Sequence, residues 1–152
     1  PMRQELFSAE RGAGAWANER RLRVSGASSL ARSLLATGFP YSRATERDNN
    51  LTEFNALVTR TQGVRRAGSA ALDLSWTAAG RFDGYWEMYL NPYDWAAGWL
   101  FVEEAGGRVT NVAGEEWSID QSPSRVVASN GLIHGELLAA LGAARRELEQ
   151  AK

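Results

Sequence analysis

The 152 residues contain no cysteine. That absence removes disulfide frameworks and thiolate chemistry together, and it points away from an oxidising compartment, towards the cytoplasm. A dominant charge is lacking too: 17 Lys and Arg stand against 18 Asp and Glu, a formal net charge of −1, with no long block of one sign. Nucleic acid calls for a basic stripe that this chain does not have, so it is not expected as a partner. No apolar run approaches the roughly 20 residues that span a bilayer. The opening Pro1-Met2-Arg3-Gln4-Glu5 lacks the charged-then-apolar plan of a signal peptide, and no membrane partner is expected. His134 is the single histidine and no G-x-S-x-G elbow occurs, which argues against a nucleophilic triad, so His134 is assigned no chemistry. Internal repeats and low-complexity segments are missing as well.

What is present, 44% hydrophobic and 23% charged residues, is the balance of a single globular domain, expected here over residues 1–152. A chain of this length buries roughly 68–70% of its unfolded surface, enough for a core without staples. The opening third reads as β-rich. Short strands are expected over Gln4–Ala9 and Ala15–Ala17, with a polar turn at Asn18–Arg21 before Leu22-Arg23-Val24, and a buried strand over Ser33–Thr37 closed by Gly38-Phe39-Pro40. Tyr41–Asn50 is polar and reads as a loop, and Leu51, Phe54, Leu57 and Val58 recur at helical spacing, predicting a helix over Thr52–Thr61.

Beyond residue 60, strands and helices alternate. Val64–Ala67 reads as a strand, and Ser69 as the N-cap of a helix over Ala70–Ala79 that Gly80 stops. Tyr85–Leu90 reads as an aromatic strand ended by Asn91-Pro92, with Asp94 where the next helix begins and Trp95, Gly98, Trp99 and Val102 along one of its faces. Gly106-Gly107 ends that helix, Arg108–Thr110 and Arg125–Ser129 read as strands, and Ile133, Leu137, Leu141, Ala144 and Leu148 define a last amphipathic helix. The alternation predicts an α/β fold with helices layered on the faces of a sheet.

Several residues have both a structural and a chemical reading. Gly68 and Ser69 serve as a turn and a cap, yet the free N–H groups of such a helix start also suit an anion. On residue type alone the cap is the simpler reading. Asp94 is a good N-cap and also a hard oxygen ligand suited to Mg²⁺. Glu87, on an aromatic strand, is expected to face solvent unless a ligand's hydroxyl groups pair with it. Arg65 and Arg66 read as partners in surface salt bridges; both suit phosphate, but neighbours on a strand point to opposite faces. Of the six Trp, Trp76, Trp86, Trp95 and Trp99 read as packing rather than as stacking platforms.

Four segments, Gly68-Ser69-Ala70-Ala71-Leu72-Asp73-Leu74, Ala78-Ala79-Gly80-Arg81-Phe82-Asp83-Gly84-Tyr85-Trp86-Glu87, Pro92-Tyr93-Asp94-Trp95-Ala96-Ala97-Gly98 and Glu104-Ala105-Gly106-Gly107, resemble the inositol monophosphatase family in order and spacing, and its bacterial inositol-1-monophosphatases above all. The front also resembles it: Pro1–Phe7 and Gly12–Ser25 are similar to the stretch after the family's catalytic loop, and Ala36-Thr37-Gly38-Phe39-Pro40 to its next strand. The resemblance implies the layered α/β sandwich of the sugar phosphatases, of the kind shared with fructose-1,6-bisphosphatase, here its C-terminal part with a mixed sheet and helices. It implies Mg²⁺-dependent hydrolysis of a small-molecule phosphate ester, inositol monophosphate foremost, with other sugar-alcohol or histidinol phosphates as alternatives. It makes Asp94, in an aromatic-Asp-x-Ala-Ala-Gly segment with Tyr93 where Trp is usual, a Mg²⁺ ligand. Glu87 would hydrogen-bond substrate hydroxyls, and the Gly68-Ser69-Ala70 backbone would hold the substrate near its ring. The family is often dimeric, so a homodimer is an expectation.

Two family motifs, a Gly-Asp…Glu-Glu stretch and an Asp-Pro-x-Asp-Gly-Thr loop, do not occur in the 152 residues. Magnesium is gripped by several oxygens, and one aspartate does not assemble a centre that activates water and neutralises a phosphoryl group. The chain is therefore expected to be the C-terminal half of an enzyme, inactive by itself, with no residue assigned to the chemical step. The alternative expectation is a non-catalytic binding or assembly module that keeps the half-fold.

Overall fold

A computed structural model describes residues 4–116 and 124–150. Pro1, Met2 and Arg3, part of the resemblance at the front, lie outside them. The described residues form two sheets. Strands β1 (Phe7–Glu10), β2 (Gly14–Ala17) and β3 (Arg20–Arg21) make an antiparallel meander. Strands β4 (Leu34–Thr37), β5 (Gly63–Arg65), β6 (Gly84–Leu90), β7 (Arg108–Thr110) and β8 (Ser124–Ser129) make a mixed sheet in the order β5-β4-β6-β8-β7, in which β4 runs parallel to both β5 and β6 while β8 runs antiparallel to β6 and β7.

Among the described residues, four α-helices cover this sheet. Alternation along β6 sends Tyr85 into a core shared with Leu74 and Ala78 of α2 (Ala70–Ala78) and Trp95 and Val102 of α3 (Pro92–Glu104). The same alternation sends Trp86 to the opposite face, against Leu57 of α1 (Leu51–Val58) and Leu137 and Leu141 of α4 (His134–Gln150). The small meander packs on the outer side of α3, where Phe7 meets Phe101 with ring centroids 6.2 Å apart. Its tip is tied down by Glu104, whose carboxylate accepts from the Gly12 and Gly14 backbone N–H groups at 2.7 and 2.9 Å. Helices α2 and α3 touch closely because residue 98 is glycine: a Cβ there would stand 2.5 Å from the Leu74 Cβ.

The α/β class, the mixed sheet and the layering agree with expectation, and the differences are local. The polar turn expected at Asn18–Arg21 is shorter, because Arg20 and Arg21 form β3. Asn18, with φ of 53°, tightens the turn so that pairing resumes at Arg20 and Arg21, and Leu22 leaves the sheet after its N–H bonds to the Ala15 carbonyl at 2.7 Å. Helix α1 stops at Val58 rather than Thr61, and β5 ends at Arg65, which frees Arg66 from strand geometry. His134 is buried at the start of α4, with its ring nitrogens 2.9 Å from the Ser129 and Thr110 hydroxyls, so it pins α4 to β7 and β8. No helix among the described residues is long and apolar enough to cross a membrane.

Candidate functional site

The three mutually parallel strands β4, β5 and β6 all run out at the same edge of the sheet, and the segments that follow them enclose a cleft of about 540 Å³. Gly38 to Ser42 come from the end of β4, Arg66 to Ala71 from the connection of β5 into α2, and Glu87 to Asp94 from the end of β6 and the start of α3. The carboxyl edge of parallel strands is where open α/β sheets take ligands, because chain reversals there leave backbone groups and side chains free to converge. Gly68, Ser69, Ala70, Glu87 and Asp94 all line this one cleft.

The start of α2 keeps both of its readings. Gly68 takes φ of 89°, the Ser69 hydroxyl accepts the Leu72 N–H at 3.4 Å as a true cap, and the first turn still faces the cleft. Glu87 does not face open solvent. It is half-buried, Oε2 accepts a bond from the buried Tyr85 hydroxyl, and the carboxylate fills the space over Gly38, where a Cβ would come within 1.9 Å of Oε1. Burial raises its pKa above the usual range, against the Tyr85 hydrogen bond and the Arg66 charge, which lower it, while Asp94 raises it further.

Asp94 stands within the first turn of α3, not at its cap. Asn91 is the N-cap, Pro92 opens the helix, and Asp94 Oδ2 reaches back to accept the Asn91 N–H at 3.0 Å. The other oxygen has no hydrogen-bond partner among the described residues. It fits one ligand position of a Mg²⁺ ion. The set as a whole does not fit a complete centre, because among the described residues no three His, Cys, Asp or Glu side chains are grouped to hold a metal ion.

Two lining residues have roles that sequence reasoning did not assign. Asp73, one turn beyond Ser69 on the face of α2 that carries Leu74 and Thr77 inward, is 1% exposed, and its Oδ1 has no hydrogen-bond partner. Burial, and then the Glu87 charge, push its carboxyl up to about 7. A lone acid on an otherwise buried helical face was the available signal. Arg66 is the other, and it corrects the salt-bridge expectation for both arginines. Arg65 donates to the Val64 carbonyl at 3.2 Å, Arg66 lies 5.9 Å from the Phe39 ring centroid, and neither forms an ion pair among the described residues.

Known proteins resemble this chain in sequence and in fold. The family model described as the inositol monophosphatase family matches residues 1–150. An inositol-1-monophosphatase of Synechocystis sp. is 51% identical over 150 residues, 99% of this chain and 52% of the relative. A Nus factor SuhB of Pseudomonas aeruginosa is 49% identical over 132 residues, 86% of this chain and 48% of the relative. The solved inositol monophosphatase from Anabaena (Nostoc) superposes with a TM-score of 0.90 at 48% identity, over 94% of this chain and 56% of that one. The chain spans about half the length of the curated relatives it matches.

Proposed function

Because the chain belongs to the inositol monophosphatase family, we propose that it supplies the substrate side of a Mg²⁺-dependent phosphomonoesterase that releases phosphate from inositol monophosphate. The observation that carries this reading is the meeting of a capped helix start, a buried-edge glutamate and a half-free aspartate in one cleft at the carboxyl edge of the sheet. In it, the Gly68-Ser69-Ala70 backbone holds the substrate beside its ring and Glu87 accepts hydrogen bonds from ring hydroxyls. The half-buried position of Glu87 strengthens such bonds by excluding competing water.

Asp94 gives one oxygen to magnesium, and the remaining protein ligands come from residues outside this chain. A magnesium ion held there would supply positive charge at the phosphoryl oxygens. The capping bond from Asn91 fixes the Asp94 rotamer and leaves its second oxygen for the ion. The cysteine-free composition suits a cytoplasmic enzyme.

Phosphate release with Mg²⁺ tests the reading, measured for the chain alone and after assembly with the complementary half of a family member. Inositol 1-phosphate and histidinol phosphate serve as competing substrates. The assembled protein is expected to hydrolyse the inositol ester and to lose that activity on Asp94→Asn, while the chain alone stays inactive. Activity of the chain by itself would overturn the assignment of ligands. A second reading, a non-catalytic binding or assembly module, is favoured by one finding: a relative at 49% identity is named a Nus factor. Such a module needs neither Mg²⁺ nor Asp94 for binding, and calorimetry with Asp94→Asn separates the two.

A further inference from the structure

Tyr89 lies two residues beyond Glu87, where the pairing of β6 with β8 slips register between Glu87 and Leu90, and its φ is 59°. An aromatic residue keeps a left-handed backbone only where its surroundings over-determine it. Here they do. The Tyr89 hydroxyl donates to Asp48 Oδ2 at 2.8 Å, Arg125 Nη2 donates to the same oxygen at 2.5 Å and to the Tyr89 hydroxyl at 3.3 Å, and the Arg125 guanidinium lies 5.2 Å from the Tyr89 ring centroid.

Two residues further along the same connection, Asn50 holds the other side of Glu87. Its φ is 71°, it is fully buried, and every polar atom of its amide is engaged. The amide nitrogen donates to Thr37 Oγ1 at 2.9 Å and to the Gly38 carbonyl at 2.6 Å, and Oδ1 accepts from the Trp86 indole at 2.6 Å. Thr37 in turn donates to the Trp86 carbonyl at 2.6 Å. Asp48 and Asn50 therefore grip residues 86 and 89, on either side of Glu87, and also Gly38, whose Cα faces the Glu87 carboxylate. Neither Asp48 nor Asn50 lines the cleft.

We propose that Asp48 and Asn50 are positioning residues, a brace behind β6 that fixes where the Glu87 carboxylate stands to receive a polyol hydroxyl. The proposal rests on the reading of Glu87 given above. It accounts for what a cluster serving stability alone does not: a tyrosine kept in a left-handed backbone and an asparagine with its whole amide engaged stand on either side of one cleft carboxylate, joined by the same short connection.

The test is binding of inositol 1-phosphate to the 152-residue chain by calorimetry, with amide exchange at residues 86–90 followed in the same samples. Tyr89→Phe removes one hydroxyl from a half-exposed ring, and Asn50→Asp replaces two donors with acceptors at nearly constant shape. Each is expected to weaken binding by roughly tenfold, the scale on which small misplacement acts. Each should also speed exchange, and add no further loss to Glu87→Gln, because the group they place is then already altered. Unchanged affinity, or losses that add to that of Glu87→Gln, would overturn the brace. If the unaltered chain does not bind by itself, the same affinities are measured after assembly with the complementary half of a family member: a roughly tenfold loss that vanishes on Glu87→Gln supports the brace, unchanged affinity overturns it, and no binding by the assembled protein overturns the proposed function instead.

Discussion

The two faces of the mixed sheet treat buried polar groups in opposite ways. On the face covered by α1 and α4, His134 has a hydroxyl at each ring nitrogen and Asn50 uses its whole amide. Even Glu53, whose Oε2 lacks a hydrogen bond, keeps Arg145 3.3 Å from its other oxygen. On the face covered by α2 and α3, Asp73 is as deeply buried as His134, yet its carboxylate has neither a hydrogen bond nor a cation among the described residues, and Glu87 is partnered through only one oxygen. Buried polar groups in native structures are normally satisfied, because an orphaned one costs about 1–3 kcal/mol. The difference teaches that one face is built for stability and that the other gives up stability where the cleft lies.

The largest effect is expected where satisfaction is most complete. Asn50→Leu would orphan the Trp86 indole N–H and the Gly38 carbonyl and put a β-carbon-bearing apolar residue at φ of 71°. A loss of about 4 kcal/mol in urea unfolding follows from summing those penalties. A loss below about 1 kcal/mol would break the comparison from its stable side.

The cleft side should respond with the opposite sign. The Asp73 carboxyl sits at about 7 when folded, against 3.8 for the unperturbed group. The folded state thus holds the proton more tightly than the unfolded one. Its contribution is intact below about pH 4 and is lost as pH rises towards 7. At roughly 1.4 kcal/mol per pKa unit, the loss reaches about 4 kcal/mol. Asp73→Asn keeps the shape and removes the titration, so its stability relative to the unaltered chain should climb between pH 4 and pH 7 and level off above. His134 runs the other way. Burial, and then the Arg108 charge, lower it from 6.5 to about 4, so its contribution is present above pH 6.5 and is lost as pH falls towards 4. With Asp73→Asn in place, that acid-side loss of roughly 3 kcal/mol should emerge more clearly in denaturant titrations. A variant that tracks the unaltered chain at every pH would show that Asp73 is not the strained group it looks to be.

Legibility from sequence followed the range of the interaction. The Ser69 cap was readable because cap, N–H and helix lie within four residues, and the strands β4, β6 and β8 because their apolar runs are dense. Residue type makes Asp94 the cap, whereas the helix begins earlier with Asn91 as its cap; both are capping types, and only the Asn91 N–H to Asp94 bond tells which one leads. The Glu87 environment was out of reach for a different reason: its neighbours Gly38, Tyr85 and Asn50 are set by sheet order, not by spacing. Gly38 looked like a strand terminator, and it is glycine because the Glu87 carboxylate occupies the place of a Cβ. Tyr41–Asn50 read correctly as a loop, but polarity alone does not reveal that its last residues reach back to Trp86 and Tyr89.

The smallest effect sharpens the comparison at the one residue that belongs to both roles. Ser69 caps α2 with a bond of 3.4 Å to the Leu72 N–H, long enough that its removal should be mild. Ser69→Ala is expected to lower stability by about 1 kcal/mol, the ordinary value of a cap. If the backbone N–H groups of Gly68 to Ala70 hold the ligand and the hydroxyl only shapes the helix start, the affinity for inositol 1-phosphate should stay within about twofold, since the alanine can keep the same backbone path. Ala70→Pro is the contrasting variant, because at the first helical position proline removes an N–H while its fixed φ suits the helix and the extended Ser69 before it. A loss of affinity in Ser69→Ala as large as in Ala70→Pro would move the contact from the backbone to the hydroxyl, and would make the cap itself part of the cleft's unsatisfied, ligand-seeking set.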